Sequence, residues 1–498
     1  MDRRRIGRVT ASVFLMPLVA GCALLDKKPE LALEIPKAYR AVGPRAAHVA
    51  MPKLDWWRGF RSTELTALIE QAQVGNFDIA AAIARIVQAD AQARLAGAPL
   101  LPTVDAQGSA SRSRASQATA VGPNAEALAG GRSERVLYSA ALSASYELDF
   151  WGKNRAILRA AEQAAIASRF DREVVGLSTL AAVSNAYFAV LAAQDRLRIA
   201  RENVESATRI LTLIQQRQNA GTASALDIAQ QETIAAIQRA SIPPLEQQVR
   251  QNSVTLGVLI GRAPEHINVR GGTMTRIGIP LVTPGLPSEL LTQRPDIREA
   301  EALLAGANAN VYAARAAFLP SIQLTGEGGF QSLALKTLFR PEAAFYSVAA
   351  GLTQPIFHGG QLLGQLDLQK GRQDELLQNY RKTIISAFAD VERALIATQQ
   401  LARQEQLQRD AVTSSRRAYQ ISETQLREGT VDLVTVLQTQ QNLYQAQDVL
   451  TQVRLLRLQA AVALYQALGG GWDPASRQLI IAESRNKPLK LLAQGPTQ

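Results

Sequence analysis

"VLYSAALSASYELDF", residues 136–150, sets Val136, Tyr138, Ala140, Leu142, Ala144, Tyr146, Leu148 and Phe150 against Leu137, Ser139, Ala141, Ser143, Ser145, Glu147 and Asp149. Period-two alternation gives a strand one apolar and one mostly polar face, as a sheet with lipid outside and water inside requires. A soluble antiparallel sheet satisfies the same pattern, so alternation alone leaves both open. Immediately afterwards the period changes. From Gly152 to Asn219 there is no proline, and Val183, Ala186, Val190, Ala193, Leu197, Ala200, Val204, Ala207, Leu211 and Ile214 recur at spacings of three and four. That is the seam of a coiled coil. At 1.5 Å per residue the helix would extend about 100 Å, which makes it a rod.

The same strand-into-rod sequence occurs twice, with a period near 208 residues. "ASYELDFWGKNRA" (144–156) matches "GLTQPIFHGGQLL" (351–363), aligning Phe150 with Phe357 and Gly152 with Gly359. "RQNAGTASALDIAQQE" (217–232) matches "QLREGTVDLVTVLQTQ" (425–440), aligning Gly221-Thr222 with Gly429-Thr430. "GAPLLPTVDAQG" (97–108) matches "RAAFLPSIQLTG" (315–326), and "LGVLIG" and "LYQALG" close the units at Gly261 and Gly469. The first unit spans 63–280: a helix, strands at about 102–114 and 136–150, a long helix 152–219 and a return helix 223–260. The second spans 281–470: a helix 295–317, strands at about 320–331 and 345–357, a long helix 361–427 and a return helix 431–467. A tail, 471–498, follows. Gly221 and Gly429 supply the left-handed residue that ends a helix and reverses the chain. Pro355 limits the last strand near its end, and Pro243-Pro244 interrupts only the first return helix.

Two strands per unit make four per chain, whereas the smallest membrane barrels have about eight. Each backbone group left unpaired in hydrocarbon costs several kcal/mol. Other copies of the chain must therefore pair the edges, and cyclic symmetry allows two or three. Inward-facing polar side chains and an aqueous lumen favour three, because eight strands leave little room inside.

The sequence opens with Arg3, Arg4, Arg5 and Arg8, then a mostly apolar run from Val9 to Ala20, too short to span a bilayer as a helix. This reads as a signal peptide, 1–21, and no other segment is expected to be apolar enough for a transmembrane helix. Cys22 is the only cysteine. Leu18-Val19-Ala20-Gly21-Cys22 resembles a lipobox, in which the thiol accepts diacylglycerol, and acyl chains contribute about 0.8 kcal/mol per buried CH₂. A buried free cysteine is the other reading. Residues 22–62 then form a lipidated, extended N-terminal segment, and Ala23 rather than Asp after the cysteine fits delivery to the outer membrane.

Composition narrows the chemistry. One cysteine excludes an internal disulfide, and three histidines, His48, His266 and His358, argue against a metal centre. The formal charge is +11, but the basic residues lie along helices without interleaved aromatics, which argues against nucleic acid. His358-Gly359-Gly360 has no nucleophile motif nearby, and Gly326-Glu327-Gly328-Gly329 lacks the strand-loop-helix context of a phosphate loop. Neither an enzyme nor a resident cofactor is expected.

"GLPSELLTQRPDIREAEALLAGANANVYAARAAFLPSIQLTGEGGF" (285–330), with "DWWRGFRSTELTALIEQA" (55–72), the lipobox and the paired Gly-Thr turns, closely resembles the lipoprotein branch of TolC-like outer-membrane efflux factors. The likeness spans nearly the whole chain, and the Leu-Leu-x-x-Arg-Pro-Asp-Ile block (290–297) is its most specific element. The resemblance implies a mainly α protein with a membrane β-barrel. Three chains would build a twelve-stranded barrel continued by a twelve-helix coiled-coil tunnel in the periplasm, girdled by an equatorial region. The partners implied are outer-membrane lipid, a periplasmic adaptor protein and an inner-membrane RND-type pump; the cargo would be drugs or other small toxic solutes. It also implies a periplasmic gate after the second turn, with Val434 as an apolar ring, Gln438 where some relatives carry Asp, and Gln441 where Arg can serve as a restraint. Gly221, Thr222, Gly429 and Thr430 would form the docking tips, although backbone geometry alone can also account for them. The exit duct of a type I protein-secretion system shares this fold. A periplasmic coiled-coil adaptor or scaffold lipoprotein is a further reading.

Overall fold

Side chains punctuate the chain before each helix. The Ser62 hydroxyl accepts from the Leu65 amide to start α1 (Thr63–Gly75), and the Asn76 side chain accepts from Asp78 and Ile79 to start α2 (Phe77–Gly97). The computed structural model describes residues 32–36, 39–40, 53–114, 134–280 and 287–472. The signal segment, Cys22 and nearly all of the tail lie outside them. Strands β1 (Thr103–Arg114) and β2 (Glu134–Leu148) follow, then α3 (Lys153–Asn219), α4 (Ala225–Ala240) and α5 (Ile242–Leu259). The second half runs α6 (Pro287–Gln293), α7 (Pro295–Ala316), β3 (Ser321–Ser332), β4 (Ala344–Thr353), α8 (Gln361–Glu428) and α9 (Leu433–Ala467).

Several boundaries differ from the sequence reading. β4 stops at Thr353, not 357: Pro355 has no amide to donate, and Ile356 and Phe357 stand exposed beyond it. β2 likewise ends at Leu148, before Phe150. The first return helix is two helices, broken at Ser241, with Pro243 and Pro244 in the opening turn of α5 where amides have no intrahelical acceptor. Gly152 is matched by Gly360 rather than Gly359. Both immediately precede the long helices with φ of 74° and 82°, so a single offset of 208 runs from corner to tip. By length and composition a stretch of α3 could cross a membrane after all, but 56% of it is buried inside the protein.

The four strands form one antiparallel sheet in the order β1-β2-β3-β4, leaving β1 and β4 as its edges. The register sorts the side chains. Val104 and Ala106 on β1 lie beside Ala144 and Leu142, then Gly326 and Gly328, then Val348 and Tyr346. On the other face run Asp105, Gln107 and Ser109, then Ser143, Ala141 and Ser139, then Glu327, Gly329 and Gln331. The first face is apolar and exposed, Tyr346 to 86% and Val348 to 83%. The second is laced by hydrogen bonds between Ser109 and Ser139 (2.8 Å) and from Gln323 to Ser145 (2.6 Å).

The largest core lies midway along the rods, where Trp56, Phe60, Leu65, Phe188, Leu191, Met274 and Val462 pack together. Arg454 fastens the strap around Met274 to the rods, donating to the carbonyls of Met274 (2.9 Å) and Ile277 (3.1 Å) and to Glu405 (2.6 Å). Arg294, in the Arg-Pro-Asp-Ile block, binds Asp296 (2.7 Å), Asp390 on α8 (3.3 Å) and the Ala467 carbonyl at the end of α9 (3.2 Å). That block is a structural clasp.

Candidate functional site

The sheet meets the rods at a corner built around Asp149. Its carboxylate accepts from the amides of Asn154 and Arg155, both at 2.9 Å, and from the Arg155 guanidinium at 3.0 Å, capping the first turn of α3. Trp151 donates its indole N–H to the Pro320 carbonyl (2.7 Å), tying this corner to the start of β3. Lys153 pairs with Glu147 on the polar face of β2 at 2.6 Å. The polar sheet face therefore continues onto the rods.

At the far end of the rods both turns use one device. The Gly221 amide donates to the Gln218 carbonyl (2.8 Å), and the Thr222 amide and hydroxyl both reach Arg217 O (2.8 and 3.0 Å). Gly429 donates to Leu426 (3.1 Å), and the Thr430 amide and hydroxyl reach Gln425 O (2.9 and 3.2 Å). This double bond to the last carbonyls is a Schellman end. Nothing lies within 4 Å of where a Cβ would sit on either glycine, so the glycines answer to φ of 78° and 74°, not to crowding. Ser224 and Asp227 then form a capping box on α4, and Asp432 accepts from the Thr435 amide (2.9 Å) to start α9.

The two tips are joined. Behind them Ile210, Ile214, Tyr419, Leu426, Leu433, Val436, Leu443 and Tyr444 make a separate core. Ser206 and Tyr419 share a hydrogen bond of 2.8 Å, and the Tyr444 hydroxyl donates to Asn203 O (3.0 Å). Burial raises the pKa of both phenols, keeping them neutral donors. Arg217, which the sequence reading passed over, donates to the Leu426 carbonyl at 2.7 Å. The available signal was a basic residue in a helix's last turn, where carbonyls lack partners.

Val434, Gln438 and Gln441 lie on α9 at spacings of four and three, one stripe of the helix, and all three are exposed. Leu433, Val436, Gln440 and Leu443 are buried on the opposite side. The Gln438 amide donates to Asn442 Oδ1 at 3.1 Å, which holds the side chain along the helix. This stripe carries no charge. Among the described residues no group of three or more His, Cys, Asp or Glu side chains is arranged to hold a metal ion.

The pattern described as "Outer membrane efflux protein" matches residues 68–262 and 286–470. The pyoverdine export outer membrane protein OpmQ of Pseudomonas putida (strain KT2440) is 43% identical over 429 residues, 86% of this chain and 90% of that protein. The probable efflux pump outer membrane protein TtgC of the same strain is 34% identical over 460 residues, 91% of this chain and 94% of its own length. Among solved structures, the outer-membrane channel OprN superposes with a TM-score of 0.83 at 26% identity, covering 90% of this chain and 99% of that one. The open-state MtrE outer membrane channel of Neisseria gonorrhoeae superposes with a TM-score of 0.75 at 28% identity, covering 90% and 97%.

Proposed function

The chain belongs to the outer membrane efflux protein family, and from that premise we propose that three copies form a passive duct through which an inner-membrane pump expels small solutes. It is an outer-membrane channel component of an efflux pump. One observation carries the trimer: a four-stranded sheet with an exposed apolar face and two unpaired edges, continuous with helices of 67 and 68 residues. Pairing β4 of one chain with β1 of the next closes a ring of twelve strands. The long helices with their return helices then continue the wall as a periplasmic tunnel. Cys22 would carry the acyl anchor.

Val434, Gln438 and Gln441 form the constriction in this reading, and the two Gly-Thr turns present the surface to a periplasmic adaptor and an RND-type pump. No nucleotide motif supplies energy, so opening is driven by contact at the tips. The relatives named for pyoverdine, antibiotic and toluene efflux support a small organic solute over the polypeptide of a type I secretion duct. A siderophore of the pyoverdine kind is the first cargo to test. Planar-bilayer recording of the purified protein should give small, closed-biased currents that grow when the tip residues are truncated. A protein that never conducts, truncated or not, would refute the duct.

A further inference from the structure

The outer rim of the sheet carries a feature that conduction does not use. Because β2 and β4 run on into the periplasmic rods, the opposite ends of the strands, at Arg114, Glu134, Ser332 and Ala344, face the cell exterior. Arg112 and Arg114 lie on the apolar, outward face of β1, in register with Val136 and Glu134. Arg112 is paired with Glu134, at 3.2 Å from its Nε. Arg114 is exposed, and among the described residues no carboxylate pairs with it.

The connection from β3 to β4 presents the same two chemistries. Leu333, Leu335 and Phe339 are exposed, Phe339 to 72%, and the Phe339 ring packs edge-on at 5.6 Å against Phe330, which belongs to the outward face of β3. Lys336 lies between Leu335 and Phe339 in sequence and Arg340 directly follows Phe339; both are exposed and without a carboxylate partner among the described residues. The loop has a fixed shape: Ser332 and Thr337 hydroxyls meet at 2.6 Å, the Ala334 amide donates to Ser332 (3.3 Å), and Leu338 is buried. Glu342 is the acidic residue in this connection. Apolar side chains continuous with a lipid-facing band, bordered by cations that have no carboxylate partner among the described residues, form a surface that fits acyl chains below and phosphates above.

We propose that Arg114, Lys336 and Arg340 form a binding site for the phosphorylated headgroup of an outer-leaflet lipid, with Leu333, Leu335 and Phe339 seated among its acyl chains. Closure of the trimer completes the site. When β4 pairs with β1 of the next chain, the β3–β4 connection of one protomer comes beside Arg114 on the neighbouring one, so the cations converge at each protomer boundary. The site thus rests on the trimeric reading given above, and it would help hold the ring closed.

Native mass spectrometry of the full-length trimer tests this with bisphosphorylated lipid A and the same lipid after enzymatic dephosphorylation. Each basic residue near an anionic headgroup is worth about fivefold in affinity, so the phosphorylated form should be favoured by roughly a hundredfold at low salt and less at high salt. The triple variant Arg114→Gln, Lys336→Gln, Arg340→Gln should lose that preference while still registering as a trimer. Equal binding of the two lipids, or an unchanged preference in the variant, would mean a non-specific lipid annulus and overturn the proposal. Should the triple variant fail to assemble, Arg340→Gln alone must lower the preference about fivefold; no change there is equally decisive. The trimer mass in the same spectra reports on closure of the ring separately from lipid selection.

Discussion

Arg217 Nη1 lies 2.7 Å from the main-chain oxygen of Leu426, binding the last turn of α3 to the last turn of α8. A cation at an unpaired helix carbonyl is favoured by both the hydrogen bond and the helix dipole. It is also the polar tie between the two tips closest to the turns. Arg217→Gln shortens the donor and removes its charge, so the tips should separate more readily. The expected outcome is a higher open probability in planar-bilayer recordings with unchanged trimer stability. Currents identical to the parent's would show that this tie does not restrain the tips.

Helices and strands were legible because their periods are unambiguous: Val183 to Ile214 for the rod, Val136 to Leu148 for the strand. The strand register was not, because it depends on which strands become neighbours, and Asp105 facing Ser143 and Glu327 could only be read from the sheet. The Gly-Thr turns were visible, yet their threonines proved committed to the helix ends through Arg217 and Gln425 carbonyls. Arg294 stands in a specific sequence block, but its partners Asp390 and Ala467 lie 96 and 173 residues away. Long-range polar clasps of this kind leave no periodic trace. The same holds for Arg454, whose backbone acceptors Met274 and Thr275 lie 180 and 179 residues away.

Gln438 offers a test of the proposed constriction. It is exposed on the stripe that includes Val434 and Gln441, and its amide is held by Asn442 rather than by a charge. Three copies of Gln438→Asp would place a ring of negative charge in the duct, where a narrow, low-dielectric lumen concentrates the field. Reversal potentials in salt gradients should shift towards cation preference, and more so at low ionic strength. Unshifted potentials would show that position 438 lies away from the permeation path.

Glu405 is 1% exposed and is met by Arg454 (2.6 Å), Arg457 (2.7 Å) and Arg409. Burial alone would raise its pKa, but hydrogen bonds from Arg457 and Arg454 and the positive field of Arg454 and Arg409 hold it below the ordinary carboxylate range. A depressed folded pKa means that its contribution is complete above the unfolded pKa and is lost as pH falls through the folded one. Glu405→Gln leaves three guanidinium groups facing a neutral amide. It should destabilise the equatorial core by about 3 kcal/mol at pH 7, measured by thermal unfolding, and should flatten the acid limb of the stability curve. A variant as stable as the parent would show that the strap is held by packing alone.

Glu299 on α7 runs in the opposite sense. Burial, then the negative charges of Asp171 and Asp296, push its pKa up to about 7. Asp171 is itself engaged by Arg85 at 2.8 Å, so that cation is already committed. A carboxyl whose folded pKa is raised binds its proton more tightly in the native state. Its stabilising contribution is therefore complete below the unfolded carboxylate range and is lost as pH rises through about 7. Glu299→Gln keeps the shape and removes the charge that forms at high pH. It should raise stability by about 1 to 2 kcal/mol at pH 8.5 and change little at pH 5. Heat-induced dissociation of the assembly, followed at both pH values, checks the sign: greater benefit at the acidic pH would mean that Glu299 is ionised and favourably placed in the native protein.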